Sequence, residues 1–481
     1  MDQAEALKHS VVRAVGWATA TRFAGQLANW AMTLATIHFL HPQDYGLMAV
    51  TMTITGFISS LSSVGIIDAV IQDRRVTEAD LHSVFGLVLL LNGACLTLLC
   101  ALAYPVSWFY GEPRLLALLQ VSSLLFVGVA LQAVPRAVLV KRLDLKTVSW
   151  VDLVARIAGG ALVLSLAWIG IGVWSLLAGP LLTAMLRAFG FSVMAKYFAL
   201  PSFRFDKLAR IVRFGGLRTL EQILWYLYSN SDIFIIGKLL GEDIVGIYYV
   251  ARNLAALPVE KFSVTVRPAA FPAFALVQDD RAQALRYLRK AMRLLAFVCF
   301  PALFGLAATA PQVVALVLGH RWSAAATPVA ILAIAMSLRP VGLVIPPFLM
   351  GMGEFVASFR NTLYATILFP VAFVVGSHWG LIGVCTAWLV AYPIQLANLL
   401  RRVSLVARAS IGSLVCPLLS PLAGSLIMYG AVRWLAGAVP AGVGIWQGLL
   451  GLDAAGVLVY SAYTLAFMRP VVFEFVNLAR R

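Results

Sequence analysis

The chain has 481 residues, of which 61% are hydrophobic and only 12% charged, with a formal net charge of +16. Soluble domains carry about a quarter charged residues, so a water-soluble globular core is excluded. The apolar residues fall in runs long enough to cross about 30 Å of hydrocarbon as helices, whereas barrel strands alternate and are about half as long.

The first segment, MDQAEALKHSVVRAVGWATATRF, is amphipathic and lacks the basic start, short apolar core and small-residue cleavage site of a removable signal. Apolar runs between charged or Pro/Gly punctuation then predict spans at 15–40, 43–67, 82–108, 114–138, 150–170, 173–197, 214–240, 243–272, 293–318, 324–350, 356–378, 381–400, 411–435 and 443–468. The expected fold is an all-α integral membrane protein of about 14 transmembrane helices.

Lys and Arg fall on alternate connections. With the N-terminus placed in the cytoplasm, 25 of the 37 lie on inside segments against 4 outside, so the positive-inside rule predicts two cytoplasmic termini and an even number of crossings. The positive charge then faces an anionic leaflet, and no nucleic-acid partner is needed to explain it. Two basic connections, 203–214 and 279–295, also carry apolar residues at helical spacing, which predicts helices lying in the headgroup plane.

A faint repeat appears when 22–50 is set beside 218–250. Arg22 and Gln26 match Arg218 and Gln222 in spacing, and FLHPQDYGLMAV (39–50) sits over LLGEDIVGIYYV (239–250), with a four-residue change of offset between them. The expected organisation is therefore two parallel six-helix lobes, 1–200 and 201–405, followed by two extra helices and a tail over 406–481. Transporters built from two such halves usually hold their cargo between them.

Ionisable residues at membrane depth are costly, which makes them the functional candidates. The cations are Arg22, Arg156, Arg187, Arg218, Arg252, Lys261, Arg267 and Arg339; the anions are Asp152, Glu221, Asp232, Glu260 and Asp453. This cation excess suits a cavity that receives something negative. Arg252 precedes Pro258, and Arg339 directly precedes Pro340, with Pro346 and Pro347 beyond it. Proline lets a span bend, and arginine can clamp a phosphate through two parallel hydrogen bonds. Asp152 and Arg156 are one helical turn apart and are expected to pair, while Arg187, Arg218 and Arg267 sit near span ends where a long stem reaches water.

Asp232 follows Ser229, Asn230 and Ser231, and Glu260 stands beside Lys261. Either carboxylate could exchange a coupling proton or help to hold a sodium ion, and a salt bridge to Arg252 or Lys261 is the alternative. Trp225, Tyr226, Tyr228, Tyr248 and Tyr249 are expected to pack, with stacking on sugar rings as the functional alternative. The five cysteines have no metal or disulfide spacing and are expected to be free thiols. No phosphate loop, HExxH, GxSxG or CxxC motif occurs, so no enzyme activity is expected, and no cofactor beyond a proton or sodium gradient.

FLHPQDYGLMAV, GIIDAVIQDRRVTEAD, WFYGEPRL, VPRAVLVKRLDLK and GIGVWSLLAG, then SDIFIIGKLLGEDIVGIYYVARNLAALP and FPAFALVQDD, together resemble the polysaccharide-exporter family (WzxC-like, Wzx-type flippases) of the multidrug/oligosaccharidyl-lipid/polysaccharide superfamily. The resemblance covers roughly residues 10–400, and Ala275 departs from the family's usual serine at its position. It implies a two-lobed transporter in the bacterial inner membrane that moves undecaprenyl-pyrophosphate-linked oligosaccharide repeat units by ion-coupled alternating access, for exopolysaccharide, capsule or O-antigen assembly. The implied partners are the lipid-linked oligosaccharide, membrane lipids, and polymerase and chain-length or export proteins. By position, the resemblance gives the cavity role to Arg22, Arg218, Arg252 and Arg339. The alternatives are a membrane-embedded polysaccharide polymerase or ligase, which needs a large outward loop, and a drug/cation antiporter, whose lumen should be acidic.

Overall fold

The computed structural model describes residues 25–62 apart from 27 and 29, 77–197, 200–203, 209–438, 440 and 444–471, with backbone alone at 79, 209–219 and 260–269. The described residues form helices and no strand. Nine of the helices are long and apolar enough to cross a membrane, or ten spans if a pair bent by 42°, His320–Ser337 and Arg339–Gly351, counts as one. Nine of these ten match expected spans to within a few residues, while Arg281–Ala308 overlaps only the first part of the expected 293–318. Helices also occupy the described part of the expected span 43–67 and the expected spans 214–240 and 243–272, and the remaining one, 15–40, lies partly outside the described residues. The protein is an all-α, multi-pass membrane protein whose helices are compatible with a count of fourteen.

Two compact units divide the chain, Met1–Lys238 and Leu239–Arg481. The first holds α1 (Pro42–Ser62), α2 (Glu78–Tyr110), α3 (Arg114–Ser122), α4 (Leu125–Lys141), α5 (Leu145–Trp168), α6 (Val173–Ala195) and nearly all of α7 (Ala209–Leu239). Local chemistry sets the starts and stops. Thr77 and Asp80 form a reciprocal capping box that opens α2, and Gly111, at φ +71°, closes it in a left-handed conformation that costs glycine little. Asp144 opens α5 by accepting from the Thr147 N–H. Helices α5 and α6 cross so closely that a Cβ on Gly159 would stand 2.0 Å from Thr183 Oγ1 and 2.8 Å from the Gly179 carbonyl. Lipid offers no hydrophobic drive between helices, so this small-residue contact is what lets the two backbones gain van der Waals energy. Helix α7 is tied in by Tyr226, whose hydroxyl donates to the Thr53 carbonyl at 2.9 Å, and by Tyr110, which donates to the Phe234 carbonyl at 3.3 Å.

The second unit holds α8 (Glu242–Ala275), α9 (Arg281–Ala308), α10 (Ala310–Val317), a 3₁₀ turn (His320–Ala325), α11 (Ala326–Ser337), α12 (Arg339–Leu343), α13 (Ile345–Gly351), α14 (Phe355–Ser377), α15 (Gly380–Ala407), α16 (Ile411–Ala438) and α17 (Ile445–Phe467). Its core gathers Phe274, Leu288, Phe300, Phe348, Leu399 and Leu414. Val371, Val390, Leu450, Val457 and Leu458 are each more than half exposed, a surface that suits hydrocarbon rather than water.

The expectation for 279–295 is corrected. The stretch is the first half of the continuous helix α9, and its apolar residues Ala284, Leu285, Leu288, Met292 and Leu295 are buried in the unit's own core instead of in headgroups. Arg281 and Arg289 lash this end to its neighbours, donating to the Val406 carbonyl at 3.3 Å and to Ser413 Oγ at 2.6 Å. Most of the other amphipathic stretch, 203–214, lies outside the described side chains. The paired motifs at 39–50 and 239–250 share a local form: each carries a short turn and opens a helix with acidic residues in its first turn, Asp44 in α1 and Glu242 and Asp243 in α8.

Candidate functional site

The break between α11 and α12 falls at Leu338, immediately before Arg339 and Pro340. Proline has no N–H to donate into the preceding turn and its ring crowds the carbonyl four residues back, which is why the span bends here. The bend is held from α15. Tyr392 donates its hydroxyl to the Arg339 carbonyl at 3.4 Å, and Gly342 permits the approach, since a Cβ there would lie 2.5 Å from the Tyr392 oxygen.

Arg339 is half-buried at this break. Its guanidinium carbon sits 6.0 Å from the ring centre of Trp388, and Nη1 reaches Met336 Sδ at 3.6 Å. Trp388 is itself fixed: its indole N–H donates to the Tyr248 hydroxyl at 2.8 Å, and the Phe369 and Phe373 rings lie 4.9 and 5.2 Å away. Among the described residues no carboxylate pairs with Arg339. A guanidinium has five N–H donors, a thioether is a weak acceptor, and a partly desolvated cation–π contact is worth roughly 0.5–2 kcal/mol, less than the several kcal/mol that removing the charge from water costs. The arrangement can therefore take an anion on the side that the ring leaves open.

Arg252 is half-buried in α8, a helix packed beside α12, and it is already engaged within the protein. Arg218 belongs to α7 and Glu260 to α8, with side chains outside the described ones, and Arg22 lies outside the described residues. Asp232 is fully buried in α7, accepts from the Ile233 N–H at 2.8 Å and has a further partner. The structure thus puts Arg252 and Arg339 on neighbouring helices of one unit. It places Asp232 in the other.

The expected pair of Asp152 with Arg156 is corrected: Asp152 Oδ1 lies 2.8 Å from Nε of Arg187 on α6. The close crossing at Gly159 and Gly179 brings that arginine to the acid, so a neighbouring helix supplies the partner instead of the next turn of α5. Tyr248, completely buried, and Tyr226 are packing residues, as expected. Sequence reasoning missed Trp388 as the partner of Arg339, and no local signal could have supplied it. It also missed that Asp453 lines a cavity of about 460 Å³ with Thr309, Tyr460 and Ser461. The five cysteines are free thiols, and no cluster of His, Cys, Asp or Glu among the described residues is arranged to hold a metal.

Residues 37–327 match the profile of a family described as polysaccharide biosynthesis protein. Over 377 residues the chain is 26% identical to the lipopolysaccharide biosynthesis protein WzxC of Escherichia coli (strain K12), a match covering 77% of this chain and 75% of that one. It is 23% identical over 476 residues to the succinoglycan biosynthesis transport protein ExoT of Rhizobium meliloti (strain 1021), covering 98% and 96%, so this likeness includes the last two helices. Among solved structures it is similar to the lipid II flippase MurJ in an inward closed conformation, with a TM-score of 0.71 at 14% identity over 95% of this chain and 99% of that one, a likeness of fold.

Proposed function

The chain belongs to the polysaccharide biosynthesis protein family, and from that membership we infer that it is a flippase moving a lipid-linked oligosaccharide across the membrane. Relatives named for transport, together with the flippase fold, support the reading. The observation that carries it in this molecule is Arg339, a cation kept at a broken span against an indole face, with no carboxylate paired to it among the described residues.

In this reading the substrate is an undecaprenyl-pyrophosphate-linked repeat unit, and the pyrophosphate meets Arg339 and Arg252. Two arginines offer planar donor forks that match phosphate oxygens, where lysine would offer only a point charge. The membrane is the bacterial inner membrane with both termini in the cytoplasm, as the bias of Lys and Arg between connections favours. The protein moves its cargo by alternating access coupled to a proton or sodium gradient, with Asp232 and Glu260 as coupling residues. It performs no bond chemistry and hands the unit to polymerase and chain-length or export proteins.

The test is export of polymer by cells that depend on this chain. Arg252→Ala with Arg339→Ala should abolish export while folded protein remains in the membrane. Normal export by that variant would remove the proposed clamp.

A further inference from the structure

The ion pair between Asp152 and Arg187 leaves a cation over. Arg156, one turn along α5 from Asp152, lines a cavity of about 530 Å³ that Arg187 also lines, together with Gln132 of α4. Glycines make the hollow: Gly159, Gly160 and Gly179 form part of its wall. Arg156 and Arg187 both line this cavity, and Asp152 pairs with Arg187 alone among the described residues. That carboxylate meets Nε of Arg187, and no hydrogen bond among the described residues uses its Nη groups. Neither Arg156 nor Gln132 is tied by a hydrogen bond among the described residues. Arg156 lies about three helical turns from the start of α5, and Arg187 about two turns from the end of α6. Lys141, Arg142 and Lys146 continue the positive run at the mouth of these helices.

Like charges gathered at membrane depth repel one another unless an anion joins them, and Arg156 and Arg187 against the single carboxylate of Asp152 leave a net positive charge that suits an anionic group. We propose that this cavity of the N-terminal unit binds the phosphate or diphosphate of a lipid headgroup, with Arg156 and the Nη edge of Arg187 as two forks and the Gln132 amide as a further donor. The site shares no residue with the Arg339 locus. Its phosphate chemistry stands on these side chains alone, and the lipid source rests on the flippase reading.

The experiment is calorimetric binding of geranyl diphosphate and of inorganic pyrophosphate to the purified full chain, in a background carrying Arg252→Gln and Arg339→Gln so that the other proposed clamp is absent. Geranyl diphosphate should bind more tightly than pyrophosphate. Arg156→Gln should weaken it roughly tenfold or more at an unchanged melting temperature. Arg187→Gln leaves the Asp152 carboxylate without its partner, so the second variant is the neutral pair Asp152→Asn with Arg187→Gln, and it should lose binding as well. Absence of binding, or affinity untouched by both variants, would overturn the site, and equal affinity for the two probes would overturn its lipid source. Wild-type leaflet transfer, scored alongside, separates the readings. It survives failure of this inference and is lost if the flippase reading fails.

Discussion

A guanidinium at membrane depth needs compensation, and the identity of its partner decides what it can still do. A carboxylate would neutralise Arg339 and occupy its donors, whereas the face of Trp388 steadies the charge and leaves the donors for a ligand. Arg339→Lys should therefore keep less than about a tenth of transport, because an ammonium loses the two-pronged contact with phosphate. Trp388→Leu should weaken substrate binding several-fold while export protein levels hold, and transport at several substrate concentrations separates the two effects. Asp152 makes the opposite case. Asp152→Asn removes one side of a partly exposed pair, with side chains 26% and 30% exposed, and should lower stability by only about 1 kcal/mol in thermal unfolding. Arg339 was legible in the sequence because a charge next to proline in an apolar run has few ordinary explanations. Trp388 was not, since a cation–π contact between separate helices leaves no local pattern, and the pairing of Asp152 went wrong for the same reason: one-turn spacing on α5 says nothing about what α6 brings alongside.

Helix ends and crossings follow simple stereochemistry. Thr77 with Asp80, Asp144 and Gly111 mark boundaries that the structure uses. The α5–α6 crossing depends on absent side chains, so Gly159→Val should force the backbones apart and destabilise the protein by about 1–3 kcal/mol, visible as a lower melting temperature in detergent. Pro340→Ala restores a helix donor at the 42° break. It should leave stability equal or higher and slow transport. The stretch 279–295 shows where pattern alone is ambiguous. Apolar spacing announces a buried face without saying whether lipid headgroups or protein cover it, and Leu288 and Met292, both fully buried in protein, give the answer only in three dimensions. Leu288→Ala should accordingly cost about 2–5 kcal/mol, a core value far above that of a surface helix.

Across the whole molecule, composition and run length were enough to read a helical membrane protein, because hydrocarbon leaves the backbone so few alternatives. The motifs at 39–50 and 239–250 pointed toward the polysaccharide biosynthesis family that residues 37–327 match. Arg156 and Arg187 were each visible in the sequence as membrane-depth charges, yet their convergence on one cavity was not, since it is a property of helices packed together. The account as a whole requires that a headgroup carrying negative charge cross the bilayer by way of these cations. The direct measurement is leaflet transfer of a lipid-linked oligosaccharide in liposomes containing the purified chain, under imposed proton or sodium gradients. Wild-type protein should move the lipid well above the rate in empty liposomes, and Arg339→Gln should fall to roughly a tenth or less. Transfer no faster than in empty liposomes under any gradient, or undiminished transfer by Arg339→Gln, would contradict it.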